Sequence, residues 1–245
     1  MKVLIIGESC TDKFVYGKID RLSPEAPVPV INPVEVTCNP GMAANTLENC
    51  KVLHPDCKLV LWSQEQKITK TRFVEKKSNH MFIRFDEGEE SISKFNQDLS
   101  SIKYFDLVIV SDYNKGFLSD EDIKNIGLAA KVSIIDSKRI LTSDMVSGYT
   151  FIKLNEFEKI NNKNLQHSGI ITTLGSKGAE YKNVVYPSPD PQETIDVSGA
   201  GDTFTAAFSL KYMETKNIKI AIEYANTISA YVVSKRGVVI PNETF

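Results

Sequence analysis

No stretch of this sequence approaches the roughly 18 consecutive apolar residues that a membrane span requires. The opening MKVLIIGES passes at once into polar, proline-bearing sequence, without the long apolar region and small-residue cleavage site of a signal peptide. A soluble, cytoplasmic chain with no membrane partner is expected. Cysteine is sparse: Cys10, Cys38, Cys50 and Cys57 form no C-x-x-C pair, and His54, His80 and His167 keep no ligand spacing with them. These absences exclude a disulfide framework and a structural zinc site, and point to reduced thiols. Neither sign of charge is in excess, with 29 Lys and Arg against 31 Asp and Glu. Nothing electrostatic therefore calls for a nucleic-acid partner. Blocks of like charge, internal repeats and low-complexity segments are also missing.

What is present suits one sizeable core with a small accessory element: 245 residues, 42% of them hydrophobic. Short apolar runs at Lys2–Ile6, Lys58–Trp62, Leu107–Val110, Val132–Asp136, Phe151–Leu154 and Gly169–Thr173 read as strands covered on both faces. Helices are expected over Met42–Leu53, Asp120–Lys131, Ala200–Glu214 and Ile218–Lys235. Ser119 and Asp122 have the spacing of a capping box for the second, and Gly237 is placed to end the last. This alternation predicts a mostly parallel sheet with helices on both faces. Two stretches break the rhythm. Phe14–Glu35 carries four prolines and Thr69–Phe85 has no helical period, so both read as extended chain. Together they predict a small β lid over the carboxyl ends of the strands, where open α/β sheets bind ligands.

The strongest chemical signal is Asp196-Val-Ser-Gly-Ala-Gly-Asp-Thr-Phe-Thr-Ala-Ala207. Gly199, Ala200 and Gly201 let a ligand approach the backbone and open a helix whose first amides lack intrahelical acceptors. Such a helix start can cradle a phosphate. Asp202, in the first turn, is placed to take the proton of an attacking hydroxyl, and the positive helix end should keep it ionised at neutral pH. The same turn would also serve close packing of helix on strand, with Asp202 as an N-terminal charge.

The neighbouring segments favour the chemical reading. Asp196–Asp202 resembles the second signature of the ribokinase-like, or PfkB, carbohydrate kinases. Asp20-Arg-Leu-Ser-Pro-Glu-Ala-Pro-Val-Pro-Val30, Pro40-Gly-Met-Ala-Ala-Asn45, Thr69-Lys-Thr-Arg72, Ser111-Asp-Tyr-Asn-Lys-Gly116 and Lys235-Arg-Gly237 are similar, in order, to the heptose-7-phosphate kinase branch of that family, the kinase half of the ADP-heptose synthases. The resemblance implies a ribokinase-like three-layer α/β/α fold in one domain, 1–245, with lid segments at about 12–36 and 68–88. It implies ATP and Mg²⁺ as cofactors, a sugar or sugar-phosphate acceptor, and a homodimer through the lid.

Residue by residue, it implies Asp202 as base with Gly199, Ala200 and Gly201 as the anion hole. Asn155 and Glu158 match an N-x-x-E motif near Mg²⁺ and the ATP phosphates, with Glu158 the metal-side residue, through water if not directly. An ordinary helix cap would use the same two residues. Gly175, Lys177 and Gly178 match a nucleotide-side loop, and Lys138 and Asn226 fall near the nucleotide, although Asn226 would equally suit a satisfied polar core position. On the acceptor side, Asp12, Gly41, Ala44 and Asn45 match sugar-binding positions. Lys70, Arg72, Arg84 and Lys115 are candidates for a phosphate already on the sugar, or else solvated surface charges.

The chain departs from the family pattern at Met42, where a second glycine is usual, and at Glu8, where Asp is commoner. It also runs directly from Leu61-Trp-Ser-Gln64 to Lys67-Ile-Thr-Lys70, where the family carries on the order of 25 more residues, about one β-α unit. No H-x-G-H segment follows Gly237, so no nucleotidyltransferase domain is expected. Two alternatives stay open beside heptose-phosphate kinase: a kinase of another sugar, and a non-catalytic sugar- or nucleotide-binding module. An oxidoreductase is disfavoured because the first strand is not followed by G-x-G-x-x-G.

Overall fold

Val3, Leu4, Ile5 and Ile6 are fully buried, as a strand can be only when both its faces are covered. In the computed structural model, which describes residues 1–189, 199–235 and 241, that strand lies inside the main sheet. Along the chain run β1 (Lys2–Gly7), β2 (Ser9–Leu22), β3 (Pro29–Met42), α1 (Ala43–Leu53), β4 (Lys58–Trp62), β5 (Thr69–Glu75) and β6 (Met81–Glu87). There follow β7 (Leu107–Asp112), α2 (Asp120–Ala129), β8 (Ser133–Ser137), β9 (Phe151–Asn155), α3 (Glu156–Asn161) and β10 (Ile170–Thr173). The last elements are β11 (Ala179–Tyr181), β12 (Val184–Tyr186), α4 (Ala200–Thr215) and α5 (Ile218–Val233).

Eight strands form the main sheet in the order β12-β11-β10-β9-β8-β7-β1-β4. Its six apolar strands pair in parallel, and the short β11 and β12 add an antiparallel edge. Val3 and Ile5 join one core with Phe204 and Phe208 of α4 and Ile222 of α5, while Leu4 and Ile6 join another with Ile123 and Ile126 of α2. Alternation along one strand thus feeds two cores, which makes the three layers. Each expected strand and helix is present with ends moved by a few residues, and the Ser119–Asp122 capping box forms as expected. Gly237 lies outside the described residues.

The lid is a four-stranded sheet, β3-β2-β5-β6, built from the two stretches that lacked helical period. Only Glu8 separates β1 from β2, so the chain leaves the main sheet and enters the lid across a single residue. The short link from β4 to β5 is tied to this junction by one side chain. Gln64 accepts from Ser9 N at 3.0 Å and donates to Ser9 O at 2.7 Å, a bidentate clasp on the backbone. The outer lid strands expose Val34, Val36, Phe82, Ile83 and Phe85.

Met42, in place of the usual glycine, has φ 57° and ψ −135° at the N-cap of α1. That backbone region is costly for a residue with a Cβ, on the order of 1–3 kcal/mol. Met42 is nonetheless buried, packed against Cys10 and Ile68 at the base of the lid.

Candidate active site

Gly199 caps α4 with φ 80° and supplies no side-chain cap, so the first amides of this 16-residue helix are left open. They border a cavity of about 490 Å³ lined by Gly199, Gly201, Asp202, Tyr113, Lys138 and Lys153, among others. Positive helix charge and two ammonium groups therefore meet at one wall. A Cβ added at Gly201 would lie 3.0 Å from Lys153 Nζ, so the bare α-carbon is what lets this lysine come up to the helix start.

Asp202 is buried on the wall of the cavity, and both carboxylate oxygens are held. Asn45 Nδ2 donates to Oδ2 and the Tyr113 hydroxyl donates to Oδ1, each at 2.9 Å. Burial pushes the carboxyl up to about 6, with the charge of Asp136 adding to the rise, while Asn45, Tyr113 and Lys153 hold it down. Helix charge is what the sequence offers to keep this group ionised; the groups that hold it down are side chains, and burial has moved it well out of the ordinary carboxylate range. Burial likewise pushes the Tyr113 hydroxyl well above its usual value, with the charge of Asp202 acting in the same direction, so it remains a donor.

Tyr113 owes its position to Glu8. The fully buried Glu8 carboxylate accepts from the backbone amides of Tyr113 at 2.9 Å, Lys115 at 2.9 Å and Phe117 at 3.2 Å. A residue at the sheet–lid junction thereby fixes the loop that grips Asp202. The longer side chain at this departure from the family pattern has a defined task.

Next to the helix start, Asp136 and Lys153 are register partners on β8 and β9 and form a buried pair at 2.8 Å. Lys138 Nζ stands 3.5 Å from Asp136 Oδ1 and 2.5 Å from Glu158 Oε1. Burial works to raise the Asp136 carboxyl, but Lys153 and Lys138 outweigh it and hold it below its ordinary value. Asn155 and Glu158 form a reciprocal capping box on α3, with Glu158 N donating to Asn155 Oδ1 at 2.7 Å and Asn155 N donating to Glu158 Oε2 at 2.8 Å. The pair thus makes the ordinary cap, and Asn155 also lines the cavity. With one Glu158 oxygen on that amide and the other on Lys138, the donor set does not fit a directly protein-held Mg²⁺. Among the described residues no group of three or more His, Cys, Asp or Glu could hold a metal ion.

The remaining sequence candidates divide. Gly175 lines the cavity, but Lys177 is an exposed residue of the same turn. Gly178, at φ 97°, packs so closely that a Cβ would meet Tyr186 O at 2.1 Å. Asn226 is not brought to the cavity: its amide donates to Tyr186 O and Pro187 O at 2.8 and 3.3 Å, a satisfied core position that anchors the chain after β12.

On the acceptor side, Gly41 faces Asp12 so closely that a Cβ would sit 2.2 Å from Asp12 Oδ2. Ala44 borders a second cavity of about 500 Å³, at the lid base, with Cys10, Gln64 and Ile68. None of the four basic candidates is free of a carboxylate partner, although Arg84 stays exposed to solvent and Lys115 is only half-buried. Arg72 pairs with Asp12 at 2.5 Å, Lys70 and Lys115 pair with Glu89 at 3.1 and 2.6 Å, and Arg84 pairs with Asp86 at 2.6 Å. Asn45 is turned to Asp202.

Six cavity residues escaped the sequence reading: Glu156, Phe157, Thr173, Tyr113, Asp136 and Lys153. A lysine inside the otherwise apolar Phe151–Leu154 run was the available signal for the last, since a strand buried on both faces must pair such a charge.

Solved structures with this architecture include a Thermotoga maritima ribokinase, with a TM-score of 0.75 at 17% identity over 98% of this chain and 96% of that one. An Arabidopsis thaliana ribokinase complexed with ribose and ATP superposes with a TM-score of 0.71 at 13% identity, over 98% of this chain and 96% of the other. The fold is ribokinase-like. Residues 44–244 match the sequence profile of the pfkB family carbohydrate kinases, and the chain belongs to that family. Among curated relatives, the bifunctional protein HldE of Marinomonas sp. is 30% identical over 290 residues, 96% of this chain and 61% of the relative. That of Helicobacter acinonychis is 30% identical over 296 residues, 96% of this chain and 63% of the relative. The chain thus spans about three-fifths of the length of these relatives.

Asp202 links this site to stability. A carboxyl raised on folding from 3.8 to about 6 favours the fold while protonated, and that contribution is lost as pH rises through 6. The advantage in unfolding free energy of Asp202→Asn over the wild type should therefore grow by about 2 kcal/mol from pH 4 to pH 7. Paired urea titrations measure this, and a difference that stays constant with pH contradicts the assigned burial.

Proposed function

We propose that this chain transfers the γ-phosphate of ATP to a hydroxyl of a sugar or sugar phosphate, with a heptose 7-phosphate as the leading acceptor. The observation that carries the reading is Asp202, a buried carboxylate on the cavity wall at the open start of α4, with Lys138 and Lys153 lining the same cavity. The nucleotide's phosphates occupy that cavity, ATP entering as its Mg²⁺ complex. The acceptor comes from the side of Asp12, Gly41 and Asn45 and points its hydroxyl at Asp202. As the acceptor oxygen bonds to the γ-phosphorus, its proton passes to Asp202, the bond to the β-phosphate oxygen breaks, and ADP leaves. The amides of Gly199–Gly201 and the lysines carry the charge that spreads over the transferred group.

Family membership supports the sugar class. The heptose 7-phosphate choice rests on the Asp20–Val30, Pro40–Asn45 and Ser111–Gly116 segments. One observation favours a second reading: with Lys70, Arg72, Arg84 and Lys115 all matched to carboxylates, an unphosphorylated sugar is also a reasonable acceptor. A coupled ADP-release assay over both kinds of acceptor separates the two. Asp202→Asn should lower turnover by about 10²–10⁴-fold, the usual worth of a general base, while ATP binding persists. Undiminished turnover in that variant rules out the role, and nucleotide binding without turnover on any acceptor points to a binding module.

The reading includes a homodimer through the lid, supported by the exposed Val34, Val36, Phe82, Ile83 and Phe85. Sedimentation equilibrium should return a dimer that Phe85→Lys weakens at least tenfold. A monomer at all concentrations contradicts it.

A further inference from the structure

Asp202 sits at one end of a buried chain of side-chain hydrogen bonds that ties α1 to α4. Asn45 Nδ2 donates to Asp202 Oδ2 at 2.9 Å. Asn45 Oδ1 accepts from Asn49 Nδ2 at 3.1 Å, and the same Asn49 amide nitrogen donates to Asn45 O at 2.8 Å. Asn49 Oδ1 in turn accepts from the Thr203 hydroxyl at 2.9 Å. Asn45 and Asn49 stand one turn apart on α1, Asp202 and Thr203 are neighbours on α4, and all four are buried.

The chain has a direction. The Thr203 hydroxyl gives its proton to Asn49 Oδ1, which leaves the Asn49 amide nitrogen facing Asn45. That nitrogen occupies the Asn45 carbonyl oxygen, so Asn45 presents its own N–H to Asp202. If only a polar bridge between helices were needed, either orientation of the Asn45 amide would serve. Here three successive bonds select one, and reversing it would break the bonds on both sides of Asn45.

We propose that Asn49 and Thr203 are positioning residues that lock the Asn45 amide with its donor toward Asp202, and so keep that carboxylate ready to accept a proton. The role rests on the reading of Asp202 as the base. Without the lock, the Asn45 amide can rotate and turn its carbonyl oxygen to Asp202, where it accepts a hydrogen bond only from the protonated acid. The other groups facing Asp202 are Tyr113 after β7, Asp136 on β8, Lys138 just after β8, Lys153 on β9 and Cys10 on β2. The substitutions below leave these in place.

Thr203→Val is nearly isosteric and removes only the directing hydroxyl, Asn49→Leu removes the amide, and Thr203→Ser restores the donor. The first two should move the acidic limb of the kcat/KM profile upward by about one pH unit. Activity at pH 6 should then fall about fivefold against the wild type, with most of the loss recovered by pH 9, while Thr203→Ser tracks the wild type. The Asp202 carboxyl band, isolated as the infrared difference between each protein and its Asp202→Asn counterpart without nucleotide, should titrate with the same displacement. Should Asn49→Leu fail to fold, Thr203→Val decides alone. A loss of activity equal at every pH, or an infrared titration unmoved by Thr203→Val, overturns the proposal. The infrared arm needs no turnover, so it decides the positioning role even if no acceptor is phosphorylated.

Discussion

A carboxylate that must stay charged while buried sets conditions on everything around it. Asp202 has lost its water, and that loss alone drives it toward the neutral acid. Two neutral donors and one nearby ammonium oppose the drive, and each comes from a different element: Asn45 from α1, Tyr113 from the loop after β7, and Lys153 from β9. The charge of Asp136, itself kept ionised by Lys153 and Lys138, adds to the drive toward the neutral acid. The result is a carboxyl raised to about 6, ionised at neutral pH and more basic than a solvated aspartate, as suits a proton acceptor.

That balance explains features that look unrelated along the chain. Glu8 is buried at the sheet–lid junction because three amides of the loop carrying Tyr113 converge on it. At Gly201 the bare α-carbon leaves room for Lys153 close to the helix start. Met42 tolerates an unfavourable backbone because it plugs the base of the lid beside Cys10 and Ile68. The chain is also lean. In the 290-residue match to HldE of Marinomonas, 290 positions less the chain's 245 residues leaves at least 45 that this chain does not fill. A direct β4–β5 link held by the Gln64 clasp accords with that economy.

Much of this was legible in residue order. The apolar runs of β1 and β7 to β10 could be read because burial on both faces leaves no polar alternation, and the lid because four prolines bar Phe14–Glu35 from a helix. The Gly199–Asp202 turn stood out since bare residues followed by an acid at a helix start have few uses. The partners of Asp202 did not stand out, because Tyr113 and Asp136 lie 89 and 66 positions away and meet it only through sheet order. Ion pairing was equally hidden. Nothing local tells that Arg72 will find Asp12, or that Lys70 and Lys115 will share Glu89. Asn155 and Glu158 show the converse limit, since one spacing serves both a capping box and a family motif, and Asn155 caps α3 while also lining the cavity.

The central claim is that the open start of α4 receives the terminal phosphate beside Asp202. A structure of the protein with a non-hydrolysable ATP analogue tests it most directly. The account predicts the γ-phosphate within hydrogen-bond reach of the Gly199–Gly201 amides and Lys153, facing Asp202. Phosphates seated instead in the cavity at the lid base, by Cys10 and Gln64, would contradict it.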